Sequence, residues 1–182
     1  MPVLIEGLCV VALLDTVAAR YPGGIVGFFS SAPNRNSCTD GELTRVGFMS
    51  PLDVQAYVQH LESHGFCYRR GEEAIDLTVV DQREGILVPC RWVEFGVAYW
   101  NENKDQPIAI CRKTTGKETQ IKAPKGWDYK QSLSARHVFV PTGGNTESLV
   151  FVRHDGGVDV YKDKVSGKEF FVGRTNSAGG KK

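Results

Sequence analysis

VLIEGLCVVALL, residues 3–14, is the stretch from which the rest of the chain is read. Residues 3–12 are nearly continuously apolar and carry several β-branched side chains, the pattern of a buried central strand. The wider segment to Ala19 imitates a secretory leader. No basic residue precedes the apolar run, however, and Glu6 and Asp15 interrupt it, so it matches neither a leader nor a membrane-spanning helix. The expectation is a buried strand followed by a short helix, TVAARY, capped by Asp15 and stopped at Pro22-Gly23-Gly24.

Working outward, IVGFF (25–29) reads as a second strand and ELTRVGFM (42–49) as a third with period-two alternation. Between them runs NRNSCTDGE (34–42), polar or small throughout, with the Cys38 thiol at its centre. SPLDVQAYVQHLESHG (50–65) is the clearest helix. Ser50 is placed to cap it, Pro51 takes the first helical position, Asp53 sits near the positive end, and Gly65 supplies a left-handed stop. Val54, Tyr57, Val58 and Leu61 line one face. FCYRR and AIDLTVVDQ follow as strands, giving the order β-α-β-β-α-β-β as far as residue 82. This is an α+β pattern with two helices packed on one face of an antiparallel or mixed sheet, and a split β-α-β arrangement similar to a ferredoxin-like fold is the leading expectation.

From residue 88 the helical period disappears. RWVEFGVAYW, QPIAICRK, ETQIKA, HVFV, SLVFVRH, GVDVYKD and KEFFVGR read as successive short strands, with turns expected at Asp155-Gly156-Gly157 and Ser166-Gly167. The expected organisation is an α+β subdomain over 1–85, a β-rich subdomain over 86–174 that can share the same sheet, and a disordered tail over 175–182.

The net charge of +1 conceals an asymmetry. Residues 1–100 hold seven arginines and no lysine against twelve acids, or −5, and residues 101–182 hold fifteen basic side chains against nine acids, or +6. Two regions of opposite field are expected, the second suited to an acidic partner. The five cysteines are too far apart for a C-x-x-C site, and their odd number fits a secreted disulfide framework poorly. Cys9 and Cys111 lie in apolar settings as small core residues, which places the chain in a reducing compartment, the cytoplasm.

Motifs for nucleotide, dinucleotide, serine-hydrolase, zinc-protease and EF-hand chemistry are missing, so no cofactor and no metal are expected. Cys38 is the candidate nucleophile, with Arg35 near enough in sequence to lower its pKa. The competing reading is a polar connection in which Asn, Asp and Gly make turns. His60 and His64 have the i, i+4 spacing that lets two imidazoles share a metal, without a third ligand nearby. Glu94, flanked by Trp92 and Phe95, and Asp76 are candidate general bases, against a default of solvated strand faces. KAPKGWDYKQSLSARH (122–137) interleaves Lys125, Lys130 and Arg136 with Trp127 and Tyr129, a pattern able to hold phosphate and stack a base, or to form an exposed loop anchored by its tryptophan.

With no catalytic motif, the leading expectation is a small accessory protein that binds a protein partner, as inhibitors, immunity proteins and antitoxins do. Arg35, Asp40, Glu42, Lys125, Trp127, Tyr129 and Arg136 are the expected contacts. The alternatives are a small enzyme using Cys38 or an acidic base, and a nucleic-acid-binding protein using the basic C-terminal half. No membrane association is expected.

Overall fold

The computed structural model describes residues 1–136, 149–155, 158–163 and 169–173. Strand β1 (Val3–Ile5) leads into β2 (Leu8–Leu13), and helices α1 (Leu14–Arg20) and α2 (Gly24–Ser30) follow. A hairpin of β3 (Ser37–Thr39) and β4 (Leu43–Phe48) precedes α3 (Pro51–Ser63), and a two-residue pair, β5 (Arg69–Arg70) and β6 (Glu73–Ala74), leads to β7 (Leu77–Asp81) and β8 (Gly85–Ile86). Beyond these come the long strands β9 (Val93–Tyr99) and β10 (Pro107–Lys113) and the short helix α4 (Leu133–Arg136). A three-stranded antiparallel meander closes the order with β11 (Leu149–Asp155), β12 (Val158–Asp163) and β13 (Glu169–Gly173). The molecule is α+β, and no helix among the described residues is long and apolar enough to cross a membrane.

The opening apolar run forms two strands where the sequence pattern points to one. Gly7 adopts φ 63°, a backbone conformation costly for other residues, and turns the chain out of one sheet into another. β2 then occupies the centre of a five-stranded antiparallel sheet ordered β3-β4-β2-β7-β8. β4 and β7 both run antiparallel to β2 and hence parallel to one another, so α3 crosses over between two strands with a third lying between them. β1 joins β10 and β9 in a second sheet, ordered β1-β10-β9.

Successive side chains of a strand point to opposite faces, and both faces of β2 are covered. Leu8, Val10 and Ala12 join Val46, Phe48, Leu77 and Val79 under the helices, against Val17, Phe28, Val54, Tyr57, Val58 and Leu61. Cys9 and Val11 point the other way with Leu43 and Val80, and meet Val3, Ile5, Val93, Ala109 and Cys111 of the second sheet. The result is three layers, helix, sheet and sheet, and the second core draws on strands from both sides of residue 85.

Four local expectations need correction. IVGFF is helical, forming α2 after Gly23 turns left-handed at φ 75°. A Cβ at Gly27 would overlap the Pro22 carbonyl oxygen, so the tight α1–α2 corner requires glycine there and overrides the β-branched pair Ile25-Val26. Asp15 lies inside the first turn of α1, where it meets the positive helix end, and Leu13 is the cap residue. In α3, Ser50 and Pro51 hold the expected positions, Asp53 lies in the first turn and Gly65 stands at φ 84°, while the Ser50 side chain makes no cap hydrogen bond. ETQIKA contributes only a bridge from Lys122 to Val3. HVFV, the two glycine turns of the C-terminal meander and the tail lie outside the described residues.

Leu61 is wholly buried between α3 and the sheet. Leu61→Ala is expected to lower the unfolding free energy by about 2–5 kcal/mol, measured by urea denaturation.

Candidate functional site

The NRNSCTDGE segment spends its polar side chains on its own backbone and on one buried cation. Asn34 Oδ1 accepts from the Asn36 N–H, Thr39 Oγ1 from the Gly41 N–H, and Asp40 Oδ1 from the N–H groups of Glu42 and Leu43. These are side-chain turns of the kind Asn, Asp and Thr make readily. Arg45, on β4 opposite Cys38, is fully buried, and its Nη1 donates to Asn36 Oδ1 at 2.7 Å and to the Asn36 carbonyl at 3.2 Å. Asn34 Nδ2 donates to the Gly47 carbonyl at 2.8 Å. Gly47 is required beside them, because a Cβ there would collide with the Asn36 amide and the Arg45 guanidinium.

This braced loop forms one wall of a groove whose other wall is α3. Ser31, Pro33 and Asn34 face Asp53, Ala56, Tyr57 and His60 across about 570 Å³, with Phe48 also lining it. The Tyr21 hydroxyl lies 2.6 Å from Ser31 Oγ and 2.9 Å from His60 Nε2. Ser31 Oγ is also within hydrogen-bond distance of the Gly27 carbonyl, at 2.9 Å, so the three side chains form one connected chain. His64 Nδ1–H donates to the His60 carbonyl at 2.8 Å, and the two imidazoles stand 4.6 Å apart. Desolvation, followed by the neighbouring His64, holds the His60 pKa below its usual value, and burial pushes the Tyr57 hydroxyl pKa up. No group of three metal-ligating side chains occurs among the described residues.

Cys38 lies on β3 against the core between the two sheets, with its thiol 3.6 Å from the Lys122 carbonyl. Burial pushes its pKa up over the opposing pull of Arg45, which leaves it a protonated thiol at neutral pH. His60 is on α3 and His64 is its C-terminal cap, and α3 covers the opposite face of the five-stranded sheet. Glu94 is exposed and paired with Arg112 at 2.9 Å. Asp76 is buried, and its Oδ2 accepts from Arg20 at 2.8 Å and from the Cys67 N–H at 2.7 Å.

Of the nominated contact residues, Arg35 and Lys125 are exposed, whereas Asp40 is buried with its Oδ2 3.8 Å from the N-terminal amine. Glu42 pairs with Lys113 at 3.4 Å. Arg136 ends α4, and its side chain lies outside the described residues. Trp127 and Tyr129 are half-buried in an aromatic cluster, with the Trp127 ring edge-on to Trp100 at 4.6 Å. The Trp127 Nε1–H donates to Glu6 Oε2 at 2.9 Å, and Glu6 Oε1 accepts from the Leu133 N–H at the start of α4 at 2.8 Å. Glu6, an interruption in an apolar strand, is thus the clasp that holds residues 127–134 against the N-terminal sheet.

The sequence pattern singled out neither Tyr21 nor Ser31, which are brought to His60 from 39 and 29 positions away. The only local signal was the polar face of α3, on which Asp53 and His60 stand seven positions apart, two helical turns. No protein-family model, curated protein or solved structure matches the chain.

Two outcomes are expected. Trp127→Ala removes a ring contact and leaves Glu6 Oε2 without its donor, at a cost of about 2–4 kcal/mol in urea denaturation, whereas Lys125→Ala leaves the midpoint unchanged. The folded-state pKa of His60 lies below the 6.5 of an unperturbed histidine, so the unfolded chain takes up the proton first. The His60 contribution to stability is complete above pH 6.5 and is lost as the pH falls from there toward the folded-state pKa, and His60→Asn is expected to flatten that part of the stability profile.

Proposed function

We propose that the protein is a non-catalytic binding module that recognises a protein partner, in the manner of inhibitors, immunity proteins and antitoxins, by receiving a basic side chain in the groove between α3 and the 31–36 loop. The observation that carries this reading is the set of groups left free there. Asp53 has no ion-pair partner among the described residues, and the exposed His60 imidazole lines the same groove. Tyr57 and Phe48, buried with rings 5.2 Å apart, form the aromatic floor beneath them. An unpaired carboxylate beside an imidazole, over an apolar floor, fits a lysine or arginine side chain, and the groove belongs to the acidic half of the sequence.

A nucleic-acid reading draws little support from Trp127, whose ring contacts Trp100 and whose N–H is spent on Glu6. The strand order β7-β2-β4-β3, with helices on one face, supports reading residues 8–81 as a ferredoxin-like unit that carries the groove on its helical side.

Affinity capture from lysate with the wild-type chain and with Asp53→Lys tests the proposal. A basic protein retained by the first, lost with the second and weakened by moderate salt is the expected result. Equal retention by both chains, or retention of nucleic acid alone, overturns it.

A further inference from the structure

We propose that β9 pairs edge to edge with β9 of a second copy of this chain, joining the two three-stranded sheets into one of six strands. The inference is independent of the groove. It rests on how unevenly the edges of the two core sheets are protected. An open edge presents unpaired N–H and C=O groups, and folded proteins shorten, charge or cover such edges. β3 has three residues and β8 two. β1 is covered by the Lys122 segment, through Leu4 N–H to the Lys122 carbonyl and Lys122 N–H to the Pro2 carbonyl, both at 2.8 Å.

β9 has none of these protections. It runs for seven residues, pairs with β10 along its whole length on one side, and has no strand partner on the other among the described residues. Its one charge, Glu94, is neutralised within the same sheet by Arg112. Val97 and Tyr99 are 60% and 47% exposed, an apolar surface on a strand edge that a solitary molecule would be expected to charge.

The sequence of β9 suits its own antiparallel copy. Pairing centred on Gly96 overlaps all seven residues and sets Phe95 opposite Val97, Val93 opposite Tyr99, and Glu94 opposite Ala98 of the other copy. Aromatic residues face β-branched ones, which is a favourable cross-strand combination, and no like charges meet. A Cβ at Gly96 would meet nothing within 4 Å, so the sheet face at the centre of the pairing has room for a side chain.

Sedimentation of the full chain from micromolar concentration upward tests this, with a species of twice the 20.1 kDa chain mass expected. Val97→Lys is expected to weaken the dimer roughly tenfold, since two Phe95–Val97 pairs are lost and two lysines approach across the axis. Mixing Val97→Lys with Val97→Glu should restore association. Gly96→Cys should cross-link the two copies under mild oxidation, a second readout that does not depend on the lysine variant folding well. A wild-type chain that stays monomeric overturns the proposal, and so does a dimer that is indifferent to Val97→Lys and uncross-linked by Gly96→Cys.

Discussion

The architecture depends on β2 being apolar on both faces. A strand with one apolar face needs one covering layer, whereas Leu8–Leu13 exposes hydrocarbon in both directions and needs two. Burying one valine or leucine fully is worth about 1.5–3 kcal/mol, so leaving either face in water would forfeit several such contributions. Helices α1 to α3 cover the even-numbered side and the β1-β10-β9 sheet covers the odd-numbered side. Because β1 precedes β2 by only two residues, Gly7 must turn the chain between layers at once, and the Gly7 N–H finds Gln82 Oε1 at 2.8 Å on leaving the strand.

Much of this was legible in the sequence, because periodicity reports burial directly. The apolar run located the central strand, the spacing of Val54, Tyr57, Val58 and Leu61 gave the helix and its buried face, and the alternations after residue 88 gave β9, β10 and the three-stranded meander. What was not legible came from contacts distant in the chain. Ile25 and Val26 look like strand residues and are 38% and 77% exposed on a helix, since the conformation is decided at Gly23 and Gly27. Arg45 occupies a place in an alternating strand where a charged side chain ordinarily points to water, yet the second sheet closes over it. The groove draws on three separate segments, so no window of sequence contains it.

Arg45 also explains why the 34–42 loop is polar. A buried guanidinium is costly to desolvate unless its hydrogens find acceptors. Asn36 supplies two through Arg45 Nη1, while Nε and Nη2 have no hydrogen-bond partner among the described residues. Asn36 is held in turn by Asn34, and Asn34 by the Gly47 carbonyl on the same strand as Arg45. A charge in the core thereby fixes the wall of a groove on the surface. The polarity that made the loop look like a reactive-cysteine loop serves to satisfy the backbone and one cation.

The layered arrangement also bears on chemistry. Cys9, Cys38, Cys90 and Cys111 all lie in or against the core between the two sheets, where burial raises each thiol pKa. His60 on α3 and His64 at its C-terminal cap belong to the layer open to water. The five-stranded sheet lies between, and adjacent layers pack about 10 Å apart, well beyond the reach of a direct proton transfer. Cys38 and these histidines are thus separated by the element that organises the fold, and a mechanism pairing them would require the sheet to open. Recognition at the surface needs no such rearrangement, since the groove and the β9 edge are already formed in the folded chain.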